Sequence, residues 1–152
     1  MTQSLSLGLV VDHSLYLGYG SDVNAATTAV TSIMVSVNQV YVGQMNIQLT
    51  TKSFYVMTSE GACPEGAGTC AWNDDCSQTI NTKLDNFSSW EKPAARGLWH
   101  LLTDCHQSGA VGLATLGRIC SDSKQYGSGA GVNSKTDAFW LTVAHEIGTQ
   151  KR

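Results

Sequence analysis

The chain has 152 residues, 42% of them hydrophobic and 14% charged, with a formal net charge of −3 at pH 7. That length suits one domain with a buried core, and the charge balance leaves no basic footprint for nucleic acid. No apolar run approaches the roughly 20 residues that span a bilayer. Met1-Thr2-Gln3-Ser4 lacks the basic start of a signal peptide, and the apolar run from Leu5 to Val11 is too short and broken for its core. An exported protein would carry its signal outside this sequence.

Leu5, Leu7, Leu9 and Val11 alternate with Ser6, Gly8 and Val10, which predicts a strand ending at Asp12. Ser21 then offers a helix cap and Asp22 an acid for the first turn. Val23, Ala26, Val30, Ile33, Met34, Val37, Val40 and Tyr41 recur at three- and four-residue steps, a long amphipathic helix uninterrupted until Gly43. Met45, Ile47 and Leu49 alternate with polar residues as a second strand, which Phe54 and Val56 extend. Glu60 to Thr69 is loop by composition. Ile80, Leu84 and Phe87 share one face of a second helix that ends before Pro93.

Leu98 to Thr103 is a short apolar strand. Val111 to Ile119 reads as another, whose Gly112 and Gly117 suit an edge approached closely by something else. Ser121 to Val132 is Gly- and Ser-rich loop. Ser134 and Asp137 fit a capping box ahead of a final helix with Trp140, Val143, Ala144 and Ile147 as its core stripe. The order β-α-β, loop, α-β-β-α implies an α/β fold, a twisted mixed sheet with three main helices packed on it, in a single domain over residues 1–152.

Chemistry concentrates in that final helix. A helix reading His-Glu-x-x-His sets two imidazoles a turn apart for one zinc, with the Glu beside the metal-bound water. His145, Glu146, Ile147 and Gly148 fill four of those positions, and Thr149 stands at the fifth. On spacing alone, a His-Glu pair is more often a partly exposed polar pair on an amphipathic helix. His13 reads as a solvated or capping group after the first strand, His100 as a hydrogen-bonded structural histidine, and His106 as part of a polar turn. None stands at helical ligand spacing to His145. Trp72, Trp90, Trp99 and Trp140 read as packing residues. Asp74 and Asp75 suit the approach to a helix better than a calcium site.

Five cysteines are many for a reducing compartment, and Cys63, Cys70 and Cys76 crowd a Gly- and Ser-rich loop without the Cys-x-x-Cys spacing of structural zinc. Disulfides in an oxidising compartment follow.

Taken together, Leu9-Val10-Val11-Asp12-His13, Asn38-Gln39-Val40-Tyr41, Trp72-Asn73-Asp74-Asp75-Cys76, Phe87-Ser88-Ser89-Trp90, Trp99-His100-Leu101-Leu102-Thr103, Val111 to Cys120 and Ala144-His145-Glu146-Ile147-Gly148 carry a resemblance. The chain resembles the upper subdomain of an adamalysin-type metzincin, the catalytic domain of ADAM proteases, and is most similar to the fungal ADAM-like members. The resemblance implies a zinc metalloendopeptidase, with His145 as first zinc ligand and Glu146 as general base. It implies that Val111, Gly112, Leu113, Ala114, Thr115 and Leu116 form the edge strand that pairs with an extended polypeptide substrate or inhibitor. It also implies secretion, or the extracellular face of a membrane-anchored parent.

The family continues with a second and third histidine and a lower subdomain, which this sequence lacks. The expectation is therefore a domain truncated inside its zinc motif, with a non-family tail at 149–152, weak or absent zinc binding and no turnover of its own. The alternative is a non-catalytic peptide- or protein-binding module. Cys120 pairs in the family with a lower-subdomain cysteine and is expected to be free here. Cys63, Cys70, Cys76 and Cys105 then form two bridges. Three pairings are open, and Cys76 with Cys105 is favoured because it ties the second helix to the following strand.

Overall fold

The computed structural model describes residues 2–66, 68–106, 109–116 and 129–150. Along the chain come strand β1 (Gln3–Val11), helices α1 (His13–Gly18) and α2 (Val23–Met45), strand β2 (Ile47–Val56) and a 3-10 turn at Pro64–Gly66. Helix α3 (Ile80–Ser89), strands β3 (Leu98–Thr103), β4 (Gly112–Ala114) and β5 (Gly129–Ser134), and helix α4 (Phe139–Gln150) follow. The strands form one sheet in the order β2-β1-β3-β5-β4. All neighbours are parallel except β4, which runs antiparallel to β5. The α/β class and mixed sheet agree with the sequence.

Side-chain alternation splits the core into two layers. Leu7, Leu9 and Val11 of β1 and Leu98 and Leu102 of β3 meet Val30, Met34 and Val37 of α2 and Val143 and Ile147 of α4. The intervening Val10, Trp99 and Leu101 meet Trp72, Ile80, Leu84 and Phe87 on the other face. β3 and β5 are buried along their whole length, as parallel strands covered on both faces must be. Trp72, Phe87, Trp90 and Trp99 join edge-on or tilted, with ring centroids 5.2 to 5.6 Å apart. Gly8 makes room for that cluster, since a Cβ there would overlap the Trp99 ring.

A charged knot crosses between β1 and α3. Lys83 is buried on the inner face of α3, and its Nζ lies 2.9 Å from Asp12 Oδ2, 2.7 Å from Asp74 Oδ1 and 2.6 Å from the Trp72 carbonyl. Asp12 also caps α1, accepting from the Leu15 N–H at 3.0 Å, and takes a 2.6 Å bond from the Thr103 hydroxyl. Burial resists ionisation of Asp74, but hydrogen bonds from Lys83 and the Gln78 N–H and the charge of Lys83 outweigh it and hold the carboxyl below its usual range. The partner of Asp74 is therefore a lysine. The disulfides are Cys63–Cys70 and the favoured Cys76–Cys105, with Cα separations of 5.2 and 5.1 Å.

Local chemistry moves several boundaries from their expected places. Asp22, not Ser21, caps α2, accepting from the Asn24 and Ala25 N–H groups at 2.8 and 3.3 Å. A single glycine costs a helix only about 1 kcal/mol, so α2 continues through Gly43 and takes in Met45. It stops where Asn46 turns left-handed at φ 55°. Thr79 caps α3, with Asp74 and Asp75 ahead of it.

The C-terminal quarter departs further. Residues 129–132, expected as loop, lie in β5, because their glycines admit close neighbours rather than a turn. Ser134 caps nothing: it ends β5 and donates its hydroxyl to the Cys105 carbonyl at 2.5 Å. The first turn of α4 closes on the Ala138 carbonyl instead. Trp140 is 39% exposed, and the inward stripe of α4 is Phe139, Val143, Ile147 and Gln150. The expected strand beyond Leu116, the Cys120 thiol and loop residues 121–128 lie outside the described residues.

Candidate functional site

Helix α4 lies across β4 and β5, held by its inward stripe. That anchoring turns the two residues between Ala144 and Ile147 outward in different directions. His145 is exposed and lines a groove of about 600 Å3 between α2 and α4, together with Tyr41, Leu141, Gly148 and Thr149. Glu146 is half-buried and points to the sheet edge. A Cβ placed on Gly112 would stand 2.7 Å from its Cγ and 2.8 Å from its Oε1. Within the chain, this carboxylate side chain thus crowds Gly112.

The electrostatics follow the burial. Partial burial raises the Glu146 pKa, and the neighbouring His145 pulls against that rise. Tyr41 donates its hydroxyl to the Ala144 carbonyl at 2.8 Å, and burial pushes its pKa up to about 12, so it stays a donor. Gly148 leaves space for that hydroxyl, since a Cβ there would lie 3.1 Å from it.

β4 is the edge of the sheet. Val111 and Leu116 are exposed, and Gly112, Leu113, Ala114 and Thr115 are half-buried. The Ser134 N–H donates to the Val111 carbonyl at 3.0 Å, and the Thr115 N–H to the Ala130 carbonyl at 2.8 Å. In an antiparallel pair such bonds alternate. The N–H and C=O groups of Gly112 and Ala114 therefore point away from β5, on a side where no further strand pairs among the described residues. Thr115 adds a second clasp through its hydroxyl, which lies 2.9 Å from the Ala130 nitrogen.

The remaining histidines stand apart from His145. His13 opens α1 and donates its backbone N–H to Asn73 Oδ1 at 2.9 Å. His106 is exposed beside Asp104 at 3.3 Å. His100 is fully buried, its Nε2 lying 2.6 Å from Asn133 Oδ1, and burial lowers its pKa to about 4. Among the described residues no three His, Cys, Asp or Glu side chains gather as a metal-binding group. Asn133 carries no signal of a role in the sequence beyond the spacing of Gly129 and Gly131 before it, yet its Nδ2 also crowds Gly112, at 2.6 Å from a Cβ there.

No helix among the described residues is long and apolar enough to cross a membrane. Disintegrin and metalloproteinase domain-containing protein B of Arthroderma otae (strain ATCC MYA-4605 / CBS 113480) is 30% identical over 163 residues, spanning 93% of this chain and 20% of that protein. Its counterpart in Aspergillus fumigatus is 29% identical over 153 residues, spanning 93% of this chain and 19% of that protein. The chain thus spans about a fifth of the length of these curated relatives. A chain from the structure of a chaperone–substrate complex shares the fold at a TM-score of 0.68 and 12% identity, over 97% of this chain and 26% of that one. Metalloproteinase-II from Bacteroides fragilis shares it at a TM-score of 0.57 and 16% identity, over 97% of this chain and 42% of that one. The reprolysin-type model of metallo-peptidase family M12 matches residues 2–149, and the chain belongs to that family.

Proposed function

We propose that this domain carries the polypeptide-binding edge and the general-base side of a zinc-endopeptidase centre, and that the chain alone binds extended polypeptide without cleaving it. The observation that carries this reading is the placement of the Glu146 carboxylate against Gly112, beside the outward-facing backbone groups of Gly112 and Ala114. A peptide paired along β4 would run past that carboxylate.

Zinc is the metal the family implies, and such a centre takes three protein donors and one open position. His145 offers one imidazole. Thr149, one turn on, gives its hydroxyl to the His145 carbonyl at 3.1 Å. This donor set does not fit a resident zinc. Glu146, with its pKa raised by burial, is suited to accept a proton. Bulk water, with a pKa near 15.7, surrenders one too reluctantly for a carboxylate alone to drive peptide hydrolysis. Binding is what remains to the chain by itself, and the outward edge groups favour the reading of a peptide-binding module for it. The two disulfides suit a secreted protein or the extracellular face of a membrane-anchored parent.

Calorimetric zinc titration, paired with cleavage of an unstructured peptide, tests the reading. The expected result is zinc binding too weak to saturate at micromolar metal, no cleavage, and peptide-induced shifts at β4 amides by NMR. Nanomolar stoichiometric zinc lost on His145→Ala, with turnover lost on Glu146→Gln, would overturn it.

A further inference from the structure

The face of the sheet beneath α4 carries a line of buried polar side chains among its apolar ones. His100 of β3 stands between Leu98 and Leu102 on that face, fully buried. Asn133 of β5 and Gln150 of α4 are also fully buried. His100 Nε2 lies 2.6 Å from Asn133 Oδ1, Gln150 Nε2 lies 3.5 Å from His100 Nδ1, and Asn133 Nδ2 lies 3.2 Å from the Val111 carbonyl at the head of β4. Buried polar groups are costly unless each finds a partner, so three in one line call for an explanation.

Three glycines clear the space for this line. A Cβ on Gly131 would lie 2.6 Å from His100 Nδ1 and 2.8 Å from Gln150 Nε2, and one on Gly129 would overlap the Gln150 amide. A Cβ on Gly112 would lie 2.6 Å from Asn133 Nδ2 and 2.7 Å from Glu146 Cγ. Glycine in a strand weakens it, and the chain spends three glycines in β4 and β5 around these polar side chains.

The line also has a direction. The Val111 carbonyl can only accept, so Asn133 must present its amide nitrogen there and its oxygen to His100. His100 must then be the neutral tautomer with its proton on Nε2, leaving Nδ1 to accept from Gln150. Reversing the Asn133 amide would set two acceptors face to face at Val111. Each orientation fixes the next, from α4 through β3 and β5 to β4.

We propose that Asn133, oriented by His100 and Gln150, is a positioning residue that sets edge strand β4 against helix α4 and so holds Gly112 under the Glu146 carboxylate. Its bond to Val111 supplements the single Ser134 N–H that otherwise pins the head of the strand. The inference deepens the peptide-edge reading and rests on it for its functional meaning, while the positioning itself is visible in the free chain.

Amide hydrogen exchange on the free, disulfide-intact chain tests it. Asn133→Asp keeps the acceptor for His100 and removes the donor to Val111. His100→Leu removes the orienting proton, while His100→Gln retains an N–H where Nε2 stood. Asn133→Asp and His100→Leu are expected to speed exchange at Leu113, Thr115 and Ser134 by about tenfold, the effect of losing one hydrogen bond. β1 and β2 amides should stay unchanged, and His100→Gln should restore protection. Unchanged exchange at β4, or an equal rise across the whole sheet, would overturn the proposal. Should a variant fail to fold, long-range 1H–15N correlation on the wild-type chain decides: a proton on Nε2 of His100 supports the proposal, and a proton on Nδ1 overturns it. A peptide titration in parallel separates the two readings, since a wild-type chain that binds no peptide defeats the edge reading while exchange still judges the positioning.

Discussion

Glu146 and His145 are adjacent in sequence yet serve different surfaces, because a 100° step around a helix carries one to the sheet edge and the other to the groove beside α2. Thr149 shares the groove with His145, so Thr149→His would set two imidazoles at helical ligand spacing. Zinc affinity is expected to rise by at least about tenfold, or 1.4 kcal/mol. Calorimetry checks this, and an unchanged affinity would mean the two side chains diverge. His100 gives a second test at this scale. Its pKa falls from 6.5 to about 4 in the folded chain, so the unfolded chain binds the proton first as pH drops. Stability is then full above pH 6.5 and declines from there toward pH 4, by about 3 kcal/mol in all. Urea midpoints of wild type and His100→Gln across that window check it: the variant should lose this part of the slope.

Helix α4 shows how far periodicity alone reaches. Val143 and Ile147 were legible because apolar residues four apart leave little choice of face. Trp140 departs from expectation because spacing outranks hydrophobicity: Phe139, not Trp140, completes the stripe at four-residue spacing. Phe139→Ala is accordingly expected to cost about 3–5 kcal/mol and Trp140→Ala under about 1 kcal/mol. Chemical denaturation measures both, and equal losses would contradict the assigned face. β5 is hidden from the sequence for a related reason. Gly-Ala-Gly-Val-Asn-Ser has turn composition, and nothing local tells that its glycines face a histidine and a glutamine from distant elements. The His-Glu pair and the β4 edge were readable as types, whereas their contact through Gly112 depends on packing that no local pattern encodes.

At the scale of the molecule, the two outer strands of the sheet among the described residues, β2 and β4, differ in how they suit strand addition. β2 is the longer at ten residues, but its register against β1 shifts between Leu7 and Gly8, leaving exposed Lys52 in a bulge. A charged bulge discourages strand addition. Arg96 reaches Ser53 Oγ at 3.0 Å, and Tyr55 reaches Glu65 at 2.9 Å, so side chains of neighbouring segments tie down one face of β2. β4 offers the outward N–H and C=O groups of Gly112 and Ala114, framed by exposed Val111 and Leu116. Four such bonds at a net of about 1 kcal/mol each give roughly −4 kcal/mol, a dissociation constant near millimolar. An unstructured hexapeptide titrated into 15N-labelled chain should therefore shift the Gly112 and Ala114 amides at millimolar peptide and leave Thr50 to Phe54 unmoved. N-methylating alternate residues removes the donors to the Gly112 and Ala114 carbonyls, and those shifts should vanish. Larger shifts along β2, or equal binding by the methylated peptide, would show that the edge at β4 does not receive polypeptide.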